Sequence, residues 1–449
     1  MLLQAVLAAY ALASPSPVCG ASATAENGWP SFRGAGGAGN AAAHPTTWSE
    51  ESNVAWKVDV PGGGWSSPIV LGDKVFVTTA IQPDVEGGGR PVGYAGGLRT
   101  PQSMGAGAPK PEQEMVFQVR AYDLKSGELA FEKELARRVP DHGIHPCNTF
   151  ATETPATDGE SIVVYFGMIG FVACLDAKGD TRWTKDLGMF PMTADFGTGS
   201  SPVIHGGLVF VQCDNESASF VKAFSVESGE EAWSAERPKG SAWASPIVWK
   251  HGDVADLVLC GPDTVTGYDP ATGEQRWRVA GMGGSFSATP GSNAERLVFG
   301  NSGPMRRGPL LSLLPGAEGT FDARSEEGAT AIEWNVDRAG PGFSSPILVD
   351  GLVWVVDSQG ILNCRDAATG EEIYDERLPD ARNVVASLWS DGEHVFILSE
   401  EGQCYVVAAS PEFELVATNV IEGTFWGTPS AFDGNLLIRS AESLYCIRD

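Results

Sequence analysis

Cysteine is sparse and never paired in this sequence of 449 residues. Without Cys19 near the N-terminus, seven cysteines remain, and an odd number spread singly along the chain is not a disulfide framework. With no CxxC and no His/Cys cluster at ligand spacing, the usual zinc sites are excluded as well. Apart from Cys19 near the N-terminus, the cysteines are Cys147, Cys174, Cys213, Cys260, Cys364, Cys404 and Cys446. Those in apolar segments such as FVACLD and LYCIRD are expected to be small buried residues.

Two further patterns are missing from the sequence. No GxSxG occurs, so the nucleophile turn of the α/β-hydrolases is absent. Beyond the N-terminus no stretch approaches the ~18 apolar residues needed to span a bilayer. We therefore predict no transmembrane span, and the sequence assigns neither a catalytic residue nor a metal ligand with any specificity.

Positive charge is also scarce. The chain has 30 Lys and Arg against 57 Asp and Glu, a formal net charge of −27. Such a surface repels phosphate backbones, so a nucleic-acid partner is not expected. The acidic surface either serves solubility or recognises a basic partner.

The first 25 residues resemble a secretory signal peptide with a cleavage site at Ala23-Thr24-Ala25. No Lys or Arg precedes the apolar run, which departs from the usual pattern. Cys19 could carry a lipid, although Val18 stands where a lipobox has a small residue. Export to the periplasm or cell envelope is the favoured interpretation, lipid anchoring at Cys19 the less favoured one, and 26–52 is interpreted as an N-terminal extension.

A short Ser/Thr-Pro phrase recurs through the chain. From Pro202 to Pro246 and from Pro246 to Pro290 the spacing is 44 positions. A repeat of this length is typical of one four-stranded unit, and so of a β-propeller. Ala386-Ser387-Leu388 is interpreted as an eighth copy without its proline. The seven complete copies end at Pro68, Pro155, Pro202, Pro246, Pro290, Pro346 and Pro429.

A second phrase predicts how neighbouring blades meet. An Asp or Ser opens a turn, a Gly closes it, and an aromatic residue follows four positions later, as in Asp269, Gly273 and Trp277. The Asp can cap the turn's N–H groups and the Gly supplies a positive φ. The aromatic ring is then expected to fill the wedge between twisted sheets. The other aromatic residues of this phrase are Phe131, Trp183, Trp233 and Tyr374, with Trp334 in a degraded copy.

The last repeat contains only three strands, and the missing fourth is expected at the other end of the chain. The segment 53–60, which contains Trp56, precedes the first Ser-Ser-Pro. Pairing of the two ends would close the ring and remove exposed sheet edges. The sequence therefore predicts an all-β, eight-bladed propeller over 53–449, monomeric, with insertions at about 82–114 and 303–328. These insertions are either binding loops or tolerated additions.

The phrase DPATGEQRW at Asp269–Trp277 resembles the repeat of the pyrroloquinoline-quinone (PQQ) propellers, and the resemblance covers nearly the whole chain after Asn53. This family includes quinoprotein dehydrogenases and non-catalytic propellers similar to BamB, a scaffold subunit of outer-membrane assembly. The segments GWPSFRG and HPCNTFATETP are similar to those of PQQ-like proteins from bacteria with elaborate envelopes. The resemblance implies the fold but says little about activity.

The dehydrogenase branch implies a quinone stacked between a Trp and a disulfide of adjacent cysteines, with Ca²⁺ held by Glu, Asn and Asp. This sequence has no adjacent cysteines and no CxxCH haem site. PQQ and calcium therefore belong only to an alternative, in which the protein is an oxidoreductase. The favoured interpretation has no cofactor and is more consistent with a binding protein than with an enzyme.

Two groups of residues are candidates for a binding site. Aromatic residues three or four positions before the repeat prolines would ring one mouth of the channel: Trp65, Trp243, Phe286, Phe343 and Trp426. They either bind a planar ligand or a partner's side chain, or pack between blades as core. Possible rim residues are His142, His145, Asn148, Glu153, Arg306 and Arg307. The His and Glu of this rim could bind a metal or transfer protons, or they are ordinary loop residues.

From these features the sequence predicts an exported, non-catalytic scaffold that binds a protein or peptide in the cell envelope, similar to BamB. The alternatives are the quinoprotein oxidoreductase and a carbohydrate-binding or carbohydrate-cleaving propeller that uses the aromatic ring.

Overall fold

Short strands rich in β-branched and aromatic residues alternate with Gly/Asp turns, and each repeat forms one antiparallel sheet. The computed structural model describes residues 28–91, 93, 109–303, 306–325 and 331–449. The predicted signal peptide at 1–25, Cys19 and parts of both predicted insertions lie outside these residues. Eight sheets, here called blades 1 to 8, confirm the prediction of an all-β, eight-bladed propeller.

The strands of each blade follow from the channel outwards. Blade 1 contains Ile69–Leu71, Lys74–Ile81, Met115–Asp123 and Leu129–Arg138. Blade 2 contains Ala156–Thr157, Ser161–Phe166, Phe171–Asp176 and Thr181–Asp186. Blade 3 contains Val203–His205, Leu208–Cys213, Phe220–Ser225 and Glu231–Glu236. Blade 4 contains Ile247–His251, Val254–Gly261, Thr264–Tyr268 and Gln275–Ala280.

The second half of the ring repeats the same order. Blade 5 contains Gly291–Ser292, Leu297–Gly303, Arg306–Leu313 and Ile332–Val336. Blade 6 contains Ile347–Val349, Leu352–Val356, Ile361–Asp366 and Glu372–Arg377. Blade 7 contains Trp389–Ser390, His394–Leu398, Gln403–Ala408 and Leu415–Val420. Blade 8 contains Ser430–Phe432, Asn435–Arg439, Ser443–Ile447 and Val54–Asp59. Short 3₁₀ turns lie at Ala35–Gly37, Glu86–Gly88, Gly167–Ile169 and Thr193–Asp195.

The N-terminal strand closes the ring as predicted. Val54–Asp59 pairs antiparallel with Ser443–Ile447, and Trp56 lies opposite Cys446. The outer edge of blade 8 is thus covered by a strand from the other end of the chain, which removes an edge that could pair with another molecule.

The Ser/Thr residue before each repeat proline joins its blade to the preceding one. The backbone N–H of Ser201 donates to Ser245 Oγ at 2.9 Å, and the N–H of Ser245 donates to Thr289 Oγ1 at 2.9 Å. Equivalent bonds of 2.9 to 3.2 Å link the other successive blades from 1 to 8. Ser387, in the copy without a proline, keeps both of its bonds. The hydroxyl is therefore the part of the phrase that every blade retains.

The interface between blades 8 and 1 is built differently. Ser67 Oγ has no hydrogen-bond partner among the described residues. Instead the buried guanidinium of Arg439 donates to the carbonyl and hydroxyl of Ser66 and to the Thr78 carbonyl. Desolvation lowers the pKa of Arg439 to about 10. One arginine thus replaces a hydroxyl bond where the two ends of the chain meet.

The outer-strand aromatic residues dock on the following blade. A Cβ at Gly127 would lie 2.7 Å from the ring of Trp56, and Trp56 Nε1 donates to the Leu124 carbonyl at 3.0 Å. Phe131, Trp183, Trp233 and Trp334 meet Gly179, Gly229, Gly273 and Gly370 in the same way. The positive φ of these glycines and the absence of a side chain are both required, because the ring occupies the space of a Cβ.

Trp277 departs from this arrangement. Its Nε1 donates to Asp256 Oδ2 in its own blade, and its ring lies over Gly267. The next blade has no Asp-x-x-x-Gly turn to receive it. Instead Gly319–Asp322 pairs in parallel with Gln275–Ala280 and adds a fifth strand at the outer edge of blade 4.

The segment 28–40 lies in the central channel. Gly28–Trp29 pairs with the innermost strand of blade 1, and the Pro30 carbonyl accepts from Thr157 N–H of blade 2. Further along, Gly37 approaches Ile247 of blade 4 and Asn40 bridges to Ser390 of blade 7.

Arg33 completes this set of contacts between the segment and the ring. Its guanidinium, 1 % exposed, donates to the carbonyls of Pro290 and Pro346 in blades 5 and 6. Burial lowers the pKa of Arg33 to about 9. The segment therefore contacts residues in or directly before the innermost strands of most blades, including blades 1, 2, 4, 5, 6 and 7.

The hydroxyl bonds between blades give the first prediction. We expect Thr289→Val to lower the free energy of unfolding by about 1–3 kcal/mol, because the N–H of Ser245 is left buried without its acceptor. Chemical denaturation monitored by tryptophan fluorescence measures the change. Thr181→Val, at an exposed strand position, is the matched control and should change stability by less than about 0.5 kcal/mol. Equal effects of the two substitutions would contradict this role of the hydroxyl.

Candidate functional site

The connections that lead into the innermost strands, directly before the repeat prolines, all lie on the same side of the ring. This side is here called the proline edge. Trp65 and Trp426 stack there across the interface of blades 1 and 8, with ring centroids 5.6 Å apart. Trp65 Nε1 donates to the Cys147 carbonyl at 2.7 Å, and Trp426 Nε1 donates to Glu400 Oε1 at 2.6 Å. Trp65 is only 4 % exposed. This pair therefore mainly fixes the connections around it.

The other predicted aromatic residues differ in exposure. Phe286 is fully buried in the core shared by blades 4 and 5. Its ring packs between blades, so the prediction that it lines the channel mouth is corrected. Phe343 is 37 % exposed, and Trp243 is half-buried. Trp243 Nε1 donates to the Gly197 carbonyl at 2.7 Å. Of the five, Phe343 and Trp243 present the most accessible rings together with Trp426.

Phe196 is a site residue that sequence reasoning missed. Its side chain is 39 % exposed and its ring meets Trp243 edge to face, with centroids 6.1 Å apart. The two residues before it, Ala194 and Asp195, have φ values of 48° and 53°. Non-glycine residues in this region cost roughly 1 kcal/mol or more each, and such strain is typical of functional loops. Phe196 stands six positions before Pro202, outside the repeat pattern, so periodicity could not identify it.

Asn148 and His145 hold this loop from the side of blade 2. Asn148 Nδ2 donates to the carbonyls of Phe196 and Thr198 at 2.7 and 3.0 Å. The His145 ring lies 5.2 Å from the Phe196 ring. His145 Nδ1 accepts from Cys147 N–H at 3.2 Å, which places the proton of the neutral ring on Nε2. Burial lowers the pKa of His145.

Glu153 lies beneath the same loop and is 1 % exposed. A Cβ at Gly167 would lie 2.6 Å from Glu153 Oε1 and 2.7 Å from Thr198 Oγ1, so these two oxygens are neighbours. Desolvation raises the pKa of Glu153 to about 7, although Thr198 and nearby backbone N–H groups oppose the shift. Among the described residues, neither Glu153 Oε1 nor Thr198 Oγ1 has a partner in hydrogen-bond geometry.

The structure does not bring the remaining rim residues into this group. Arg307 forms an ion pair with Asp357 at 3.0 Å across blades 5 and 6. The Arg306 side chain lies outside the described part of the structure. His142 is half-buried three residues before His145. The candidate site therefore consists of His145, Asn148, Glu153, Phe196, Thr198 and Trp243.

A cavity of about 470 Å³ borders the site. It lies between residues 80–91, 109–115 and 144–150 of blade 1 and the connection to blade 2. His145 and Asn148 line it together with prolines, apolar residues and the polar or charged Gln82, Arg90 and Lys110, so the candidate site is continuous with a concave surface.

The residues present do not fit the quinone that the resemblance allows as an alternative. Six of the seven described cysteines lie in strands of six different blades, so no pair can form the disulfide against which a quinone would stack. Residues 28–40 lie in the central channel and contact the strands that line it. Within the described ranges, no group of three or more His, Cys, Asp or Glu residues is placed to hold a metal ion.

The fold and the proline edge define the class of protein: an eight-bladed propeller of docked, PQQ-like repeats with aromatic residues exposed on one edge. The sequence profile described as outer membrane protein assembly factor BamB matches residues 117–376, which is more than half of the chain. The chain therefore belongs to this family.

Solved structures show the same fold at low sequence identity. BamB from Moraxella catarrhalis is 13% identical with a TM-score of 0.54, covering 76% of this chain and 93% of that one. Quinohemoprotein alcohol dehydrogenase from Comamonas testosteroni is 10% identical with a TM-score of 0.55, covering 95% and 81%. Sqt1 from Saccharomyces cerevisiae is 11% identical with a TM-score of 0.51, covering 76% and 95%. No curated protein matches the sequence. At these identities the likeness establishes architecture alone.

Throughout the described residues, no helix is both long and apolar enough to cross a membrane.

The burial of Glu153 predicts a dependence of stability on pH. Because its pKa is about 7 when folded and near 4.5 otherwise, the folded state binds this proton more tightly. The contribution of Glu153 to stability is thus complete below ~pH 4.5 and is lost as the pH rises through about 7. Glu153→Gln removes the titrating group. The free energy of unfolding of the variant, measured relative to that of wild type, should therefore rise by about 2–3 kcal/mol from about pH 5 to about pH 8.

Urea denaturation of both proteins at the two pH values measures this gain. Glu160→Gln makes the same formal change at an exposed turn of blade 2 and serves as the control. A difference between Glu153→Gln and wild type that is the same at both pH values would exclude a raised pKa for Glu153.

Proposed function

We propose that this protein is an exported, non-catalytic scaffold that binds a protein or peptide partner in the cell envelope. The observation that carries the proposal is the exposed aromatic surface of the proline edge. Phe196 and Phe343 are more than a third exposed there, and Trp243 is half-buried beside Phe196. Exposed aromatic residues on a rigid support are typical of protein-binding surfaces.

The construction of the loop around Phe196 supports a binding role. The loop is fixed by Asn148 on one side and by Trp243 on the other. Thr193 N–H also donates to Ser241 Oγ at 2.8 Å. A ring held in place before binding loses little conformational entropy on contact with a partner. The strain at Ala194 and Asp195 is consistent with a position kept for binding rather than for packing.

Family membership supports the setting of this function. The family is described as an outer membrane protein assembly factor, and the N-terminal residues resemble a secretory signal. We infer that the mature protein acts as a monomeric propeller in the envelope or periplasm. An oxidoreductase is not favoured, because the residues do not fit the quinone.

The proposal predicts loss of partner capture when the exposed rings are removed. The double variant Phe196→Ala/Phe343→Ala should retain less than about a tenth of the wild-type capture of envelope proteins, because the hot spots of an interface are usually aromatic. Purified wild type and variant, carrying a photo-crosslinker, are mixed with solubilised envelope fractions, and the products are quantified by mass spectrometry.

Val254→Ala/Val416→Ala, which truncates two equally exposed side chains elsewhere on the ring, is the control for this experiment. Partners that depend on the proline edge are those lost with the aromatic variant and kept with the control. If both variants capture the same proteins as wild type, the surface is not the binding site.

A further inference from the structure

The candidate site contains a buried acid without a counter-ion. Glu153 is 1 % exposed, and no lysine, arginine or histidine in the described part of the chain forms an ion pair with its carboxyl. Its Oε1 and the adjacent Thr198 Oγ1 have no partner in good hydrogen-bond geometry there, although Thr198 and the backbone N–H groups of residues 152, 153 and 167 lie close enough to favour the charged form. A buried carboxyl normally has a cation or several donors, because desolvation of the charge is costly.

The groups that face Glu153 do not supply that charge. The titratable neighbours are the Tyr165 phenol and the Cys213 thiol, from blades 2 and 3. Burial raises the pKa of Tyr165 well above its usual value and raises that of Cys213 to about 11, so both are neutral near pH 7. Among the described residues, the groups around Glu153 therefore provide no positive charge, and an incoming group can supply one.

Aromatic rings belong to the same group of loops as this carboxyl. Phe196 and Trp243 meet edge to face, and Thr198, whose Oγ1 neighbours Glu153 Oε1, is two residues after Phe196. The faces of aromatic rings attract ammonium and guanidinium groups, more strongly when these are desolvated. The site thus combines partly exposed aromatic rings with a buried carboxyl on neighbouring loops, a combination complementary to a long cationic side chain.

The charge of the whole chain acts in the same direction. The net charge of −27 produces a field that attracts positively charged partners and raises their rate of association. Asp195 precedes Phe196, and Glu216 Oε1 accepts from Ser241 Oγ at 2.7 Å, two residues before Trp243.

We propose that the site of Phe196, Trp243, Thr198 and Glu153 receives a lysine or arginine side chain of an extended partner segment. The aliphatic stem packs on the rings and the cationic head pairs with the Glu153 carboxylate. This inference rests on the proposed function and specifies the chemistry of the partner. No bond is made or broken, and the binding is an ion pair under an aromatic cover.

Three peptides of identical Gly/Ser sequence test the proposal, with arginine, lysine or citrulline at the same two positions. Citrulline is the uncharged counterpart of arginine. At about 150 mM salt, where long-range attraction is screened, fluorescence anisotropy should give the arginine and lysine peptides at least about tenfold higher affinity than the citrulline peptide. In Glu153→Gln this preference should fall to less than about threefold. Phe196→Ala should weaken binding of both cationic peptides.

Glu160→Gln carries the same change of net charge and should preserve the full preference. A preference that persists in Glu153→Gln would show that only the overall charge is sensed and would overturn the proposal. Equal affinity for the citrulline peptide would overturn it as well. Neither of these results affects the cross-linking experiment with Phe196→Ala/Phe343→Ala, so failure of the cation site and failure of the scaffold function are distinguishable.

Discussion

The hydrogen bond from one blade's backbone to the next blade's hydroxyl is the interaction on which the rest of the structure depends. From blade 1 to blade 8, the N–H of each repeat Ser or Thr donates to the hydroxyl of the following blade, and Arg439 takes the place of this bond between blades 8 and 1. These buried bonds fix the spacing of the innermost strands around the channel. The outer strands are joined differently, by aromatic rings that pack against glycines of the next blade.

A fixed inner ring has two consequences for function. It brings all connections before the prolines to one edge, where segments far apart in sequence become neighbours, as His145, Phe196 and Trp243 do. It also leaves a channel of defined width, in which residues 28–40 pair with blade 1 and carry Arg33 to blades 5 and 6. Arg33 donates hydrogen bonds to the carbonyls of two repeat prolines. The Ser/Thr-Pro phrase therefore binds the channel segment in addition to joining neighbouring blades.

Local, repeated signals were the predictable part of this protein. Strand periodicity, the turn phrase and the docking aromatic residues are each encoded within about ten residues, and three strands after Pro429 required a fourth from the N-terminus. Contacts that occur once were not predictable. Phe196 does not recur at the repeat spacing, and nothing near Glu153 in sequence indicates that Gly167 and Thr198 enclose it. Phe286 shows the opposite limitation. Its place in the repeat indicated an aromatic residue there, but not that its side chain is buried.

The candidate site lowers the stability of the fold, and this is the strongest reason to assign it a role. Two left-handed non-glycine residues and a buried acid that is easily protonated all lie within one group of loops, and each reduces stability. Packing does not require an acid at this position, because equivalent connections in other blades have Ala244, Ala288 and Ala386 where Glu153 stands. A buried carboxylate becomes favourable only when a cation neutralises it, and a strained loop is retained when the ring that it presents has a partner. A ligand with a positive charge neutralises the buried carboxylate, and its contact with the Phe196 ring offsets the strain of the loop.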